Sequence, residues 1–241
     1  VPPPAKQAFI HQRLITKMGI NENYEKIRGI IPDYVTIMAA AKTRTATEVA
    51  KAIDVGITDI GENYVQEAER VYNELGEKAK RVRWHMIGHL QTNKINKALG
   101  VFDVIQTVDS KEKAYAINKR VLNFNKVLPI LIEVNIGSEL SKSGLKPEYD
   151  LIESVLREMA EMDHLQIEGI MTMGPAFGNP EHTRPYFRKT KEIFDKIHSL
   201  NIKGVDFKTL SMGMSNSYRV AIEEGSNMIR LGTVLFGERK Y

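Results

Sequence analysis

What most constrains the fold of this chain is an alternation. Apolar, β-branched runs recur about every 20 to 35 residues with helical patterns between them, the signature of βα units. The first run is VTIMAAA, residues 35–41. In the following TRTATEVAKAIDVG, Thr45 and Glu48 have the spacing of a capping box, and Gly56 stands where a helix ends on glycine. A short second run near ITDIG leads into GENYVQEAERVYNEL, a predicted helix. The third strand is RWHMIG, with a helix in TNKINKALG, and the fourth is FDVIQTV, with the helix KEKAYAINKRVLNF. The fifth is LPILIEVNI, then a loop GSELSKSG and the helix PEYDLIESVLREMAEM. The sixth is LQIEGIMTM, with a helix from Pro185 to Leu200. The seventh is FKTLSMGM, with the helix SYRVAIEEG, and the eighth, NMIRLG, runs into TVLFG. In front of them, Ala5 to Ile30 reads as one helix from the spacing of Phe9, Leu14, Ile15 and Met18.

Several strands are apolar throughout, as parallel strands buried on both faces are. An open doubly wound sheet could use the same elements, but eight units in 241 residues favour closure into a single-domain (β/α)8 barrel. No linker or break in composition marks a second domain. The expected organisation is one domain over 1–241, with a helical segment at 1–34 and the barrel at 35–238.

Charge and cysteine content narrow the function classes. A net charge of +4 from 34 basic and 30 acidic residues is no nucleic-acid footprint. The densest basic run, Lys78, Lys80, Arg81 and Arg83, reads as a solvated helix end ahead of an anion or partner contact. The absence of cysteine excludes disulfides and thiolate metal sites and fits a reducing compartment. No apolar stretch approaches the ~20 residues that span a bilayer, and the N-terminus has no signal-peptide core. The expectation is a cytoplasmic protein with no membrane partner.

In a barrel of this type the chemistry lies at the C-terminal ends of the strands. Those ends hold Lys42, Glu62 and Asn63, His89, Asp109, Asn135, Thr172 and Met173. The seventh ends near Ser211 to Ser215, and the eighth in Arg230, Gly232 and Thr233. Lys42 is the sharpest feature. It follows a run of apolar and small residues, which places its amine at the rim of a largely apolar barrel, where desolvation favours the free amine that forms Schiff bases. Position alone slightly favours a lysine that merely emerges into solvent. The loops after strands seven and eight shift the balance. SMGMSNSY is rich in small residues and opens a helix, so its backbone amides and the Ser215 hydroxyl suit a phosphate, and Gly232 and Thr233 complete the cradle.

These residues resemble those of a known family. AAAKTR, GENYVQE, WHMIGHLQTNK, the lysine of KSGL, GIMTM, LSMGMS and IRLGTVLFG stand in the order and at about the spacing seen in the PLP-homeostasis proteins, which bind pyridoxal 5′-phosphate (PLP). The match runs over residues 35–238. The resemblance implies a barrel like the N-terminal domain of alanine racemase and PLP held by Lys42 as an internal aldimine. It implies further that Ser215, Gly232 and Thr233 bind the phosphate with Ser211 close by, that Asn63 lies near the ring or its phenolic oxygen, and that Arg230 faces the pyridine nitrogen. Lys142 matches a loop lysine of the family, a secondary PLP acceptor or exit-route group if not simply solvated. His85 reads as structural, His89 stands between rim and site, and Gln91 and Asn93 read as helix caps. Two departures are visible: Ala40 and Ala41 precede the lysine where the family has a β-branched residue and serine, and Ser217 stands where it tends to have aspartate.

The resemblance implies a protein that buffers or delivers PLP, monomeric and with PLP-dependent apoenzymes as partners. A racemase on the same barrel is the alternative. It would need a second base, which alanine racemase takes from a further C-terminal domain, and this sequence ends at Tyr241, just after the eighth unit. A Schiff-base aldolase or other phosphate-binding barrel would explain Lys42 but not GENYVQE or HLQTNK.

Overall fold

The computed structural model describes residues 19–139, 143–175 and 178–238. Eight strands follow one another: β1 (Thr36–Ala40), β2 (Asp59–Glu62), β3 (Arg83–Met86), β4 (Val104–Val108), β5 (Leu128–Val134), β6 (Leu165–Thr172), β7 (Val205–Met214) and β8 (Met228–Leu231). Each pairs in parallel with the next, and β8 pairs back onto β1 with Met38 opposite Arg230, so the sheet closes into a barrel. All eight expected strands are present, to within two residues at each end.

The helices are α1 (Ile20–Arg28), α2 (Ala46–Asp54), α3 (Val65–Leu75), α4 (Ile95–Leu99), α5 (Lys111–Val121), α6 (Tyr149–Ala160), α7 (Arg184–Ser199), α8 (Tyr218–Glu223) and α9 (Thr233–Phe236). At α2 the expected capping box is formed: Thr45 Oγ1 accepts from the Glu48 amide at 3.2 Å, and Glu48 Oε2 accepts from the Thr45 amide at 2.9 Å. Gly56 ends that helix with φ +108°, a conformation glycine adopts without steric cost.

Two expectations are corrected. The single helix from Ala5 to Ile30 does not run through Gly19, whose extended backbone (ψ 168°) starts α1 afresh at Ile20, with Glu22 Oε2 accepting from the Gly19 amide. Phe9, Leu14, Ile15 and Met18 lie outside the described residues. After β8, where no clear helix was expected, the short α9 forms. The buried Asn23 of α1 donates to the Leu235 carbonyl of α9 at 3.0 Å, closing that side of the barrel.

Apolar burial divides between two places. Most of the core lies between strands and helices, filled from β1 to β8 by residues such as Ile37, Ile60, Trp84, Ile132, Ile170 and Leu231. Inside the barrel Met38, Ile87 and Met228 form a small apolar cluster. Polar side chains share that interior. Ser211 of β7 bonds Gln106 of β4, and these strands are not neighbours, so the bond crosses the barrel. His85, Asp59, Glu133 and Arg230 are buried with them.

The basic run belongs to the surface. Lys78 pairs with Asp54 at 2.7 Å, Lys80 with Glu77 at 2.6 Å, Arg81 with Asp54 at 3.6 Å and Arg83 with Glu168 at 3.5 Å. Among the described residues no helix is long and apolar enough to cross a membrane.

Candidate cofactor site

The site is built from strand ends that closure makes adjacent. Lys42 stands two residues beyond β1. Its loop is held from three sides: the Thr43 amide donates to Glu67 Oε1 of α3 at 2.7 Å, the Arg44 amide donates to the Ala41 carbonyl at 2.8 Å, and the Arg44 guanidinium lies 5.1 Å over the Phe236 ring of α9. Thr43 sits at φ +65°, a left-handed conformation that a β-branched residue adopts only under constraint. Lys42 itself is half-buried and makes no hydrogen bond or ion pair among the described residues. These contacts hold the loop, and the amine is left without a partner among the described residues.

Beside it lies the end of β8. A methyl group placed on Gly232 would meet the Ala40 carbonyl oxygen at 3.6 Å, which shows how closely the two strand ends approach. Ser215 Oγ, from the turn after β7, accepts from the Gly232 amide at 3.1 Å and the Val234 amide at 3.4 Å. Two backbone N–H groups and a hydroxyl thus converge, the donor set a phosphate oxygen takes. Thr233 is exposed between them. The first half of the expected loop SMGMSNSY is strand, for β7 continues through Met214. Ser217, the departure from the family pattern, is buried and accepts from the Met214 amide at 3.3 Å; it braces the turn and makes no side-chain cap to α8.

Asn63 follows β2, half-buried, with its backbone pressed against Gly88, where a Cβ would lie 2.3 Å from the Asn63 carbonyl oxygen. Only glycine at 88 lets the ends of β2 and β3 come together in this way.

Arg230 lies deeper, on β8 two residues below Gly232. It is 3% exposed and donates to the Ser211 carbonyl (2.9 Å), Ser211 Oγ (2.8 Å) and the Thr172 carbonyl (2.8 Å). Burial pushes it down to about 10, the nearby Glu133 opposing, so it keeps its charge at neutral pH. Ser211 is fully buried below the mouth, its hydroxyl engaged by Arg230 and Gln106, so it serves the arginine and not the turn at Ser215. Glu133 on β5 was not singled out from the sequence, though a lone carboxylate inside LPILIEVNI was the available signal. Burial raises it to about 7; the Asp109 charge adds to this, and Lys113 and Arg230 oppose it.

Glu62, at the end of β2, is fully buried, and neither of its oxygens accepts a hydrogen bond from the described residues. Burial raises it to about 8; the Glu67 charge adds, while the Asn63 amide and Arg70 oppose. A carboxyl that binds its proton more tightly folded than unfolded favours the fold at low pH, and that advantage is lost as pH rises from about 4.5 to about 8. By pH 7 the loss is about 3 kcal/mol. Glu62→Gln removes the titration, leaving an amide to be buried. Unfolding free energies from urea curves are expected to match wild type near pH 4 and to exceed it by about 4 kcal/mol at pH 8. Parallel stability–pH curves for the two proteins would contradict this.

The remaining strand-end residues are spread around the rim. Thr172 is buried and donates to the Val134 carbonyl at 2.7 Å. Asn135 braces its own loop through the Glu139 backbone, Asp109 pairs with Lys113 at 2.8 Å, and Met173 is half-buried. His89 is exposed at the rim, with Ser143 Oγ at 3.4 Å from Nδ1, and His85 is buried in the interior. Gln91 opens the turn Thr92–Lys94 but makes no side-chain cap. Lys142 lies outside the described residues. A cavity of about 700 Å³, lined by Thr36, Asp59, Arg83 and Met228 among others, opens at the opposite, N-terminal end of the strands; there the basic side chains are ion-paired, and nothing resembles the Ser215 cradle.

Residues 15–240 match the family model described as alanine racemase, N-terminal domain. A pyridoxal phosphate homeostasis protein of Aquifex aeolicus is 38% identical over 95% of this chain and 94% of that protein. One from Escherichia coli K12 is 35% identical over 88% of this chain and 89% of its own. Among solved structures, PipY of Synechococcus elongatus PCC7942, with PLP bound, superposes with a TM-score of 0.81 at 28% identity, covering 90% of this chain and all of that one.

Proposed function

Since the chain belongs to the alanine racemase N-terminal-domain family, and within it to the pyridoxal phosphate homeostasis proteins, we propose that it binds PLP through Lys42 and buffers or delivers it. The observation that carries this is the juxtaposition of a lysine amine at the end of β1, unpaired among the described residues, with the Ser215, Gly232 and Val234 donors at the adjoining end of β8. These groups fit the cofactor. Two amides and a hydroxyl suit its phosphate, the amine suits its aldehyde, and the buried guanidinium suits its ring nitrogen. In this reading Ser215, Gly232 and Thr233 hold the phosphate, Asn63 flanks the ring, and Ser211 acts by holding Arg230. The whole chain is taken as one binding domain, the barrel at 35–238 behind a helical segment at 1–34.

Bound PLP supplies a reactive aldehyde and a ring able to store electrons. Arg230 restrains the second property. A buried cation beside the ring nitrogen disfavours its protonation, and an unprotonated ring is a poor electron sink. That argues for carriage over amino-acid turnover, with PLP-dependent apoenzymes as recipients, the protein acting as a monomer in the cytoplasm. Racemisation would require a second base on the opposite face of the substrate carbon.

The test is to incubate the purified protein with PLP, reduce with borohydride and map the peptides. A visible band that reduction removes, with a pyridoxyl group on Lys42, is expected, together with no racemisation of free amino acids. Turnover of any free amino acid at an ordinary enzymatic rate would sink the carrier reading.

A further inference from the structure

The barrel interior holds a continuous row of polar side chains from the cofactor end to the opposite mouth. Arg230 Nη1 donates to Ser211 Oγ at 2.8 Å, and Ser211 Oγ donates to Gln106 Oε1 at 2.9 Å. Gln106 Nε2 lies 3.0 Å from His85 Nδ1, and His85 Nε2 lies 2.7 Å from Asp59 Oδ1. Thr58 Oγ1 donates to the other Asp59 oxygen at 2.6 Å. Gln106, Ser211 and His85 are at most 1% exposed, Arg230 3% and Asp59 5%.

The directions of these bonds are not free. The guanidinium can only donate and an ionised Asp59 can only accept. Burial pushes Asp59 up, but the hydrogen bond from His85, with Thr58 and Arg83, outweighs it and holds the group below the usual carboxylate range. With His85 neutral and its proton on Nε2, each group donates to the next and the row runs one way, from the Arg230 cation to the Asp59 anion. A proton on His85 Nδ1 would face the Gln106 amide hydrogens. Each link polarises the next in a low-dielectric interior, so the row behaves as a unit.

Five strands contribute: β8, β7, β4 and β3 in turn, ending on β2. None of Gln106, His85 or Asp59 stands at a strand end facing the Lys42 mouth, and Thr58 and Asp59 line the cavity at the other end. A packed apolar barrel interior would be the simpler way to fill that space. A fully satisfied polar row fixes one arrangement of its members, at the cost of burying them.

We infer that Gln106, His85 and Asp59 are positioning residues that fix Arg230 and hold its charge against the ring nitrogen of bound PLP through this one-way relay. The inference rests on the proposed placement of Arg230 beside that nitrogen. None of the three touches the cofactor; they act through Ser211. The relay ties the electronic state of the ring to a carboxylate at the far end of the barrel.

The test reads the ring nitrogen directly. Protein loaded with PLP labelled with ¹⁵N in the ring is compared by NMR as wild type, Arg230→Gln, Gln106→Met, His85→Gln and Asp59→Asn, each checked for folding by circular dichroism. Arg230→Gln is expected to move the resonance toward the protonated position, and Gln106→Met to move it the same way by a smaller amount. His85→Gln, whose amide can both accept from Gln106 and donate to Asp59, is expected to stay at the wild-type position. If Gln106→Met does not fold, Asp59→Asn keeps shape and acceptor while removing the charge, and must still displace the resonance. A wild-type resonance in folded Gln106→Met or Asp59→Asn, beside a shifted Arg230→Gln, overturns the relay alone. An unshifted Arg230→Gln, or a wild type that takes up no PLP, overturns the placement of the cofactor and the relay with it.

Discussion

Lys42→Ala is expected to abolish the borohydride-trappable visible band outright, leaving no pyridoxyl peptide. The covalent link needs an amine at the strand end, and closure brings the end of β1 beside the Ser215 and Gly232 donors. Because the side chain is half-buried and without partners among the described residues, the fold is expected to change by no more than about 0.5 kcal/mol. Lys42→Arg separates charge from chemistry. It keeps the cation and cannot form the link, so it is expected to lose the band as completely as alanine does. Both variants should still bind PLP reversibly through the phosphate donors and Arg230, and dialysis should remove that PLP where it leaves the reduced wild-type adduct intact. A trappable band at wild-type strength in both variants would move the attachment to another lysine, with Lys142 the first to examine.

Gly169→Ala is expected to destabilise the protein by about 4 kcal/mol or more, among the largest effects a single substitution produces. Gly169 has φ +149°, and a Cβ there would lie 1.9 Å from the Thr209 carbonyl oxygen and 2.7 Å from its carbon. Backbone cannot move aside as a flexible side chain can, so the β6–β7 ladder must open. The position matters because it sits in a register shift: Ile130 pairs with Ile167, but Leu131 pairs with Gly169, which leaves Glu168 as the extra residue. A bulge of one residue reverses which side chains face inward beyond it. After it Ile170 packs on the outer core, and the Thr172 carbonyl is set to receive Arg230. The urea midpoint reports the loss of stability. The same variant is expected to weaken PLP retention, since the Thr172 carbonyl is one of the groups that fix Arg230. An unfolding free energy within about 1 kcal/mol of wild type would show that the sheet absorbs the methyl group, and would contradict the argument.

Much of the fold is legible along the chain because its signals are local. A strand shows itself by β-branched apolar residues in succession, a helix by spacing and caps, and both need only neighbours a few residues away. Thr45, Glu48 and Gly56 each do in the structure what their spacing implies. The helix expected across Gly19 fails for the same kind of reason, since one glycine in extended backbone outweighs the periodicity on either side. The candidate site is legible in part. Lys42, Asn63, Ser215, Gly232 and Thr233 stand at strand ends, and in a barrel the strand ends share one mouth.

By itself, then, the sequence determined the eight strands, roughly where they and the helices between them begin and end, and which residues reach the C-terminal rim. Only the tertiary structure decided which interior side chains meet. Ser211 reads along the chain as part of a phosphate loop, yet it faces inward and bonds Gln106, 105 residues away, as well as Arg230. Gln106 itself looks like any polar residue in a buried strand until closure brings β4 opposite β7. Bulges at β6 and β7 reset which faces look inward, and no period in the residues reports a bulge. The physical reason is that propensity and capping are summed over adjacent residues. The pairing of buried polar groups depends on register and closure, which arise only when all eight strands are in place.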